Sequence, residues 1–558
     1  MTNDSIDGGI PADLVLRGGA VHTVAPADPH RPPPTAVAVR DGRIAAVGTE
    51  DDVRRWAGPR TEVVDLDGGL LLPGFQDAHV HPGAGGLGLL RCDLSELETA
   101  PAYLAAIGRY AAERPGDPWI LGGGWSMPAF PGGVPHRADL DAVVPDRPVY
   151  LPNRDGHSAW VNTRALELAG ITRDTPDPAD GRIERDAAGE PTGALHEGAM
   201  RLVERLVPEP GPAERREALL AGQAYLHALG ITGWQDAIVD GPLDTARLST
   251  YLDLAATGEL TARVVGALWW EREQGGEQIE SLVERRARGS VGRFRATSVK
   301  IMQDGVCETF TAAMLTPYLD TAGHPTGGTG ISFVDPEALK EHVVRLHREG
   351  FQVHFHALGD RAVRESLDAV AAAVAAGGRR DLRHHLAHLQ VVHPDDVPRF
   401  GALEAVANCQ PLWARHEPQM TELTIPFLGP ERAAWQYPFG DLHRSGARLA
   451  FGSDWPVSSP DPMGQLHTAV TRQPPGADDV PAPFLPEQRL SLADAVHAFT
   501  LGSAYVNHLD RDTGSIEPGK YADLTVLDRN LFELPPGELH TARVRLTLVE
   551  GTAVHESA

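Results

Sequence analysis

Cysteine is scarce: Cys92, Cys307 and Cys409 are the only three in 558 residues. An odd, widely spaced set is no disulfide framework and fits a reducing compartment. Positive charge is also in short supply. Fifty Lys and Arg stand against 76 Asp and Glu, a formal net charge of −26, which disfavours nucleic acid and anionic membrane surfaces as partners. No apolar run reaches the roughly 18 residues that a membrane span needs. Residues 1–12 lack a basic start followed by an apolar core, so no secretory leader is expected and a cytoplasmic enzyme is. The glycine run 122–124 lacks the spacing of a nucleotide-binding loop. What the chain does have is histidine, 24 residues of it, several at the ends of apolar runs.

Short alternating apolar stretches fill the first seventy or so positions: Asp13–Arg17, Ala36–Arg40, Arg43–Val47 and Thr61–Asp65. Asp41-Gly42 between two of them is a hairpin signal. A matching set, Ala522–Leu527 and Val544–Val549, lies near the other end. Pairing the two ends would bury strand edges that each would otherwise expose. This predicts a small β-sandwich domain built from residues 1–72 and 505–558.

Between them, β-rich runs alternate with helical patterns, the signature of parallel α/β. Eight candidate strands can be read: Leu71–Val80, Ile231–Ile238, Arg263–Trp269, Ala296–Met302, Phe351–Phe355, Arg383–His388, Ala405–Gln410 and Ala447–Ser453. Eight is the number of a (β/α)8 TIM-type barrel, whose chemistry sits at the C-terminal strand ends. The barrel is expected over residues 73–504. The gap after its first strand is too long for one crossover helix, so residues 85–225 should form an inserted cap that shapes the pocket.

Several of these strands end in a group that can bind a cation or move a proton. His79 and His81 are two apart and so share one face of the first strand, and imidazole is a common zinc ligand. Lys300 sits in the apolar run Ser298–Met302. Burial there would favour its neutral amine, which can take up carbon dioxide as a carbamate; the competing reading pairs it with Asp304. His354 and His356 share a face at the fifth strand's end, His388 closes the sixth, and Asp454 follows the eighth. His384 and His385 precede their strand's end and are read as structural, one facing inward and one outward. Trp125 and Trp455 are candidates for pocket walls as well as for plain packing, and Cys307 lies near enough to touch substrate.

The motifs resemble those of the amidohydrolase superfamily, in particular the branch of N-substituted formamide deformylases and YtcJ-like proteins. The resemblance rests on Pro73-Gly-Phe-Gln-Asp-Ala-His-Val-His81, Asp155-Gly-His-Ser-Ala-Trp-Val-Asn162, Val299-Lys-Ile-Met-Gln-Asp-Gly305, His356-Ala-Leu-Gly-Asp360, Ala387-His-Leu-Gln390, Gly452-Ser-Asp-Trp-Pro456 and Gly514–Asp523. It implies that His79 and His81, assisted by Asp454, hold one divalent ion. His356 and His388 would hold a second, and Lys300, N-carboxylated, would bridge the binuclear pair. Zinc suits these ligands; iron, manganese and cobalt use similar sets. Asp454 would also move the proton, and His157 would polarise a substrate carbonyl or bind an acceptor on the substrate. Asp155 is alternatively the cap of a helix beginning near Ser158. The implied activity is hydrolysis of an amide-type C–N bond, in an N-substituted formamide or N-acyl amine, by a metal-activated hydroxide. A lactone, carbamate or cyclic amide would suit the same site. A non-catalytic metal-binding protein would be expected to lack ligands, and here every ligand position is filled. The expected partner is a small-molecule substrate, with homo-oligomer formation left open.

Overall fold

The computed structural model describes residues 10–26, 30–241, 244–477 and 480–557. Residues 1–9, on which much of the leader expectation rests, lie outside them. Among the described residues no helix is long and apolar enough to cross a membrane.

The eight barrel strands are β1 Phe75–Val80, β2 Ile231–Val239, β3 Arg263–Trp269, β4 Phe294–Met302, β5 Gln352–Ala357, β6 His385–His388, β7 Val406–Cys409 and β8 Leu449–Phe451. Neighbours pair in parallel from β1 through to β8. Past the end of β8 the seam to β1 closes through Asp454 N donating to His79 O at 2.7 Å and His81 N to Trp455 O at 2.9 Å. Amphipathic helices such as Pro336–Glu349 and Asp360–Gly377 cover the outside. Their buried Leu, Val and Ala residues pack on Val299, Val353 and Phe355 in one continuous core.

The run Leu71–Val80, expected as one strand, is two. Leu70–Pro73 pairs antiparallel with Leu524–Leu527, and only Phe75–Val80 enters the barrel. The break falls at Gly74, whose N–H is taken by Asp523 O and where a Cβ would lie 2.4 Å from Thr232. Pro73-Gly74 is the sequence mark of this change of sheet, a turn-forming pair inside the run.

The two chain ends build two packed sheets. One holds Arg43–Gly48, Ala36–Arg40, Leu14–Arg17 and Glu62–Asp65; the other holds Ala20–Val21, Leu70–Pro73, Leu524–Leu527, Val544–Val549 and Thr552–Glu556. Leu16, Val37, Val39, Leu71, Val526 and Leu548 fill the space between. The Asp41-Gly42 turn takes φ of 52° and 72°, the pair of positive values that a tight hairpin requires. Arg263 of the barrel ties to this unit through Asp523 at 2.6 Å and Glu550 at 2.7 Å.

Between β1 and β2 lies a further sheet, ordered Gly181–Arg185, Pro191–Glu197, Ser158–Val161, Val149–Pro152, Ile120–Gly123 and Cys92–Asp93. Helix Pro212–Ala228 then returns the chain to β2. Ser158 therefore begins a strand; the next helix starts at Thr163 with Asn162 as its cap. Asp155 is not a helix cap. Its Oδ1 accepts from His157 N at 2.9 Å and shapes the turn that enters the strand.

Candidate metal centre

At the C-terminal mouth of the barrel a cleft of about 2350 Å³ is lined by His79, His81, His157, Lys300, His356, His388 and Asp454, among others. His79 Nε2 and His81 Nε2 lie 3.2 and 2.9 Å from Asp454 Oδ1. Among the described residues these three form the group of ligand atoms close enough to share one ion, all within 4.8 Å of one another. Lys300 Nζ is 3.5 Å from His79 Nε2. His388 Nδ1 is 3.9 Å from Asp454 Oδ2, and the His356 and His388 rings are 4.5 Å apart. The sequence-predicted residues thus meet at one cleft floor, with His79, His81 and Asp454 tightest and His356 and His388 further out.

Buried polar atoms normally find hydrogen-bond partners. Here His81 Nδ1, His356 Nδ1, both nitrogens of His388 and Asp454 Oδ1 are buried and have none. The Asp454 oxygen makes no hydrogen bond although two imidazole nitrogens lie beside it. A cation between His79 Nε2, His81 Nε2 and Asp454 Oδ1 would satisfy that oxygen, and a second would take one nitrogen of His388, since an imidazole offers a given ion only one of its two nitrogens. Three of the imidazoles are pushed toward the neutral form. Burial, and then the nearby Lys300 charge, push the His79 imidazolium down to about 3. Burial likewise holds His356 and His388 well below the usual histidine range. Neutral imidazole is the form that binds metal.

Lys300 is 2% exposed, and burial lowers its amine to about 7, with Asp454 opposing. It is not paired with Asp304, which instead accepts from the backbone N–H of Ala313, Leu358 and Gly359 at 2.8 to 3.0 Å. Those bonds fasten the turn after β5 below His356.

His157 reaches the cleft from the inserted sheet, its ring 5.3 Å from that of His356. Its Nδ1 lies 2.9 Å from Glu197 Oε1, and Thr311 Oγ1 donates to the same oxygen at 2.8 Å. Burial disfavours the imidazolium, but Glu197 outweighs it and raises the group to about 9. Sequence reading missed Glu197. It lies forty positions from His157, and only the hairpin pairing of Ser158 with His196 brings them together. Asp77 was also missed: its Oδ1 accepts from His79 N and from Ser453 N, each at 3.0 Å, joining the ends of β1 and β8. Trp455 lines the cleft, whereas Trp125 is buried against Phe130 and Trp160 and donates to Leu151 O. Cys307 is buried beside Tyr318 and Ala312, outside the cleft lining.

Four non-glycine residues of the cleft lining hold left-handed backbone: Glu197 (φ 51°), His388 (φ 81°), Tyr437 (φ 45°) and Asp454 (φ 57°). Such strain costs roughly 1–3 kcal/mol per residue and persists where surrounding structure imposes it. Gly452 allows the final approach of β8 to β1, since a Cβ there would lie 2.6 Å from His79 N and 2.7 Å from His79 Cβ. Gly452→Ala is therefore expected to force the seam open. It should cost about 1–3 kcal/mol of stability and lower metal stoichiometry, read by urea unfolding and elemental analysis. Wild-type values in both would show that the seam yields freely.

The chain matches the model of the Amidohydrolase family over residues 62–555. It is 33% identical over 532 residues to Protein LONG AFTER FAR-RED 3 of Arabidopsis thaliana, covering 94% of this chain and 88% of that protein. It is 31% identical over 529 residues to the putative amidohydrolase YtcJ of Bacillus subtilis, covering 94% and 96%. Identity to the N-substituted formamide deformylase of Arthrobacter pascens is 28% over 566 residues, 98% of both chains. Among solved structures, an uncharacterized metal-dependent hydrolase from Pyrococcus furiosus superposes with a TM-score of 0.69 at 25% identity, over 94% of this chain and 99% of that one.

Proposed function

The chain belongs to the amidohydrolase family of metal-dependent hydrolases, and on that premise we propose that it cleaves an amide-type C–N bond in a small molecule. N-substituted formamides and N-acyl amines are the proposed substrates. The observation that carries this reading is the convergence of His79, His81 and Asp454, with Lys300 and the unpartnered nitrogens of His388 beside them, on one cleft. The deformylase relative, similar along its whole length, points to an amide rather than an ester.

His79, His81 and Asp454 would hold one divalent ion, His356 and His388 a second, and Lys300, N-carboxylated, would bridge them. Bound zinc or a similar ion supplies Lewis acidity toward a carbonyl and lowers the pKa of water from 15.7 to about 7. The rest falls to side chains. Asp454 accepts the proton of the water that attacks the carbonyl carbon and returns it to the nitrogen as the C–N bond breaks, giving a carboxylic acid and an amine. His157, held as a cation by Glu197, donates to the substrate oxygen as negative charge grows on it. The inserted segment walls one side of the cleft with Asn153, His157 and Glu197.

A panel of N-alkylformamides, N-acyl amines, lactones and cyclic imides tests this. Amine release from the first two classes is expected, falling at least about a hundredfold on chelation and returning with added zinc, manganese or cobalt. Activity indifferent to chelation, or confined to lactones, would overturn the proposal.

A further inference from the structure

Barrels of this kind are filled by layers of branched apolar side chains. This one is filled, beneath the candidate metal centre, by His354, His385, Gln235, Gln352 and Asn408, all buried. We propose that Gln352, Gln235 and His354 form a directional hydrogen-bond relay that fixes the tautomer of His79. The inference rests on reading His79 as a metal ligand and adds the residues that aim its lone pair.

The direction follows from the relay's far end, where two backbone carbonyls can only accept. Gln352 Nε2 lies 2.8 Å from Arg383 O and 2.7 Å from Val506 O, which uses both of its hydrogens. Gln352 Oε1 is therefore the atom that faces Gln235, and it accepts from Gln235 Nε2 at 3.1 Å. The second hydrogen of that amide goes to Asn507 Oδ1 at 3.1 Å. Gln235 Oε1 is thus an acceptor, with His354 Nδ1 at 2.7 Å and His385 Nε2 at 3.0 Å. Both nitrogens must carry hydrogen.

An enclosed, neutral His354 has one proton to give, and it is spent on Gln235. Its Nε2 accepts, and the atom 2.9 Å away is His79 Nδ1. His79 donates from Nδ1, and its Nε2 is left as a bare lone pair on the side of His81 and Asp454. With His79 in its other tautomer, two lone pairs would meet at that distance, or His354 would be a buried cation among three imidazoles.

The His385 branch agrees independently. With hydrogen on Nε2, its Nδ1 must accept, and Asn408 Nδ2 supplies the donor at 3.2 Å while also donating to Ala78 O at 2.9 Å. Asn408 Oδ1 then accepts from Gln410 Nε2 at 3.1 Å, and Gln410 Oε1 from His388 N at 2.8 Å. Gln352, Gln235, Asn408 and Gln410 each find one consistent orientation, and the same network reaches the backbone of His388.

These are positioning residues, since His79 alone faces the site. Neutron diffraction from deuterium-exchanged crystals of the full chain, as purified and after chelation, reads the assignment directly. Deuterium is expected on His79 Nδ1, His354 Nδ1 and His385 Nε2. Deuterium on His354 Nε2, or on His79 Nε2 after chelation, would overturn the relay. Zinc affinity, measured by competition with a chromophoric chelator, gives a second reading. His354→Phe removes the acceptor and should weaken binding about 10- to 100-fold. His354→Gln, whose oxygen reaches toward His79, should recover most of that loss. Equal, wild-type affinity in both variants would also sink the relay. His79→Ala separates the underlying assumption: unchanged zinc stoichiometry there would refute the metal reading, while the deuterium map would still judge the relay.

Discussion

Asp454→Asn is expected to lower kcat by about 10²- to 10⁴-fold, the usual contribution of a positioned proton-transfer group, while retaining most of the bound metal. Asparagine keeps an oxygen where Asp454 Oδ1 now lies within 3.2 Å of His79 Nε2 and His81 Nε2, so a ligand atom survives but the base does not. Asp454→Ala should lose both. The pair therefore separates coordination from proton transfer, which the geometry alone leaves joined. The backbone supports this division: Asp454 is held at φ 57° by its N–H to His79 O and by the seam below it, and an isosteric side chain leaves those contacts intact. Elemental analysis beside steady-state kinetics is the measurement. If Asp454→Asn turned over like wild type, a role limited to coordination would stand.

Much of this site was legible because barrel strands present their C-terminal ends to one side. The period of two in a strand puts His79 beside His81, and chain order puts Lys300, His356, His388 and Asp454 toward the ends of the fourth, fifth, sixth and eighth strands. Periodicity gives the face of a strand but not the neighbour across it. That is why Glu197 was missed, why Lys300 and Asp304, four apart, looked like a pair, and why the hydrogen-bonded barrel interior went unseen. Gln235 reads in sequence as an unremarkable polar residue in an apolar run. Only closing eight strands into a ring sets it against Gln352, His354 and His385. The break at Gly74 had a local signal in Pro73-Gly74, and what the sequence could not give was the partner strand Leu524–Leu527 to which the first half turns. Asp155 before Ser158 imitates a helix cap because an aspartate accepting from the backbone two residues on serves turns and helix starts alike.

Removing the Lys300 amine should have the second large effect. Its side chain is enclosed at 2% exposure with Nζ 3.5 Å from His79 Nε2, and no carboxylate forms a salt bridge with it among the described residues. A permanently charged amine there would repel the very cations that the surrounding imidazoles are arranged to accept. Burial lowers the amine to about 7, so near neutral pH a large fraction is uncharged and able to add carbon dioxide. The product is a carboxylate on a long stem, which turns a repulsive group into a ligand. Lys300→Ala is accordingly expected to bind about half the wild-type metal and to lose about 10²- to 10⁴-fold in kcat/KM, the loss of several kcal/mol of transition-state stabilisation. Because the variant leaves a hole the length of the side chain, short aliphatic carboxylates should restore part of both quantities. The wild type, depleted of metal and reloaded without bicarbonate, should recover slowly and then fully once bicarbonate is added. Full metal content and activity in Lys300→Ala would mean that the bridge is unnecessary.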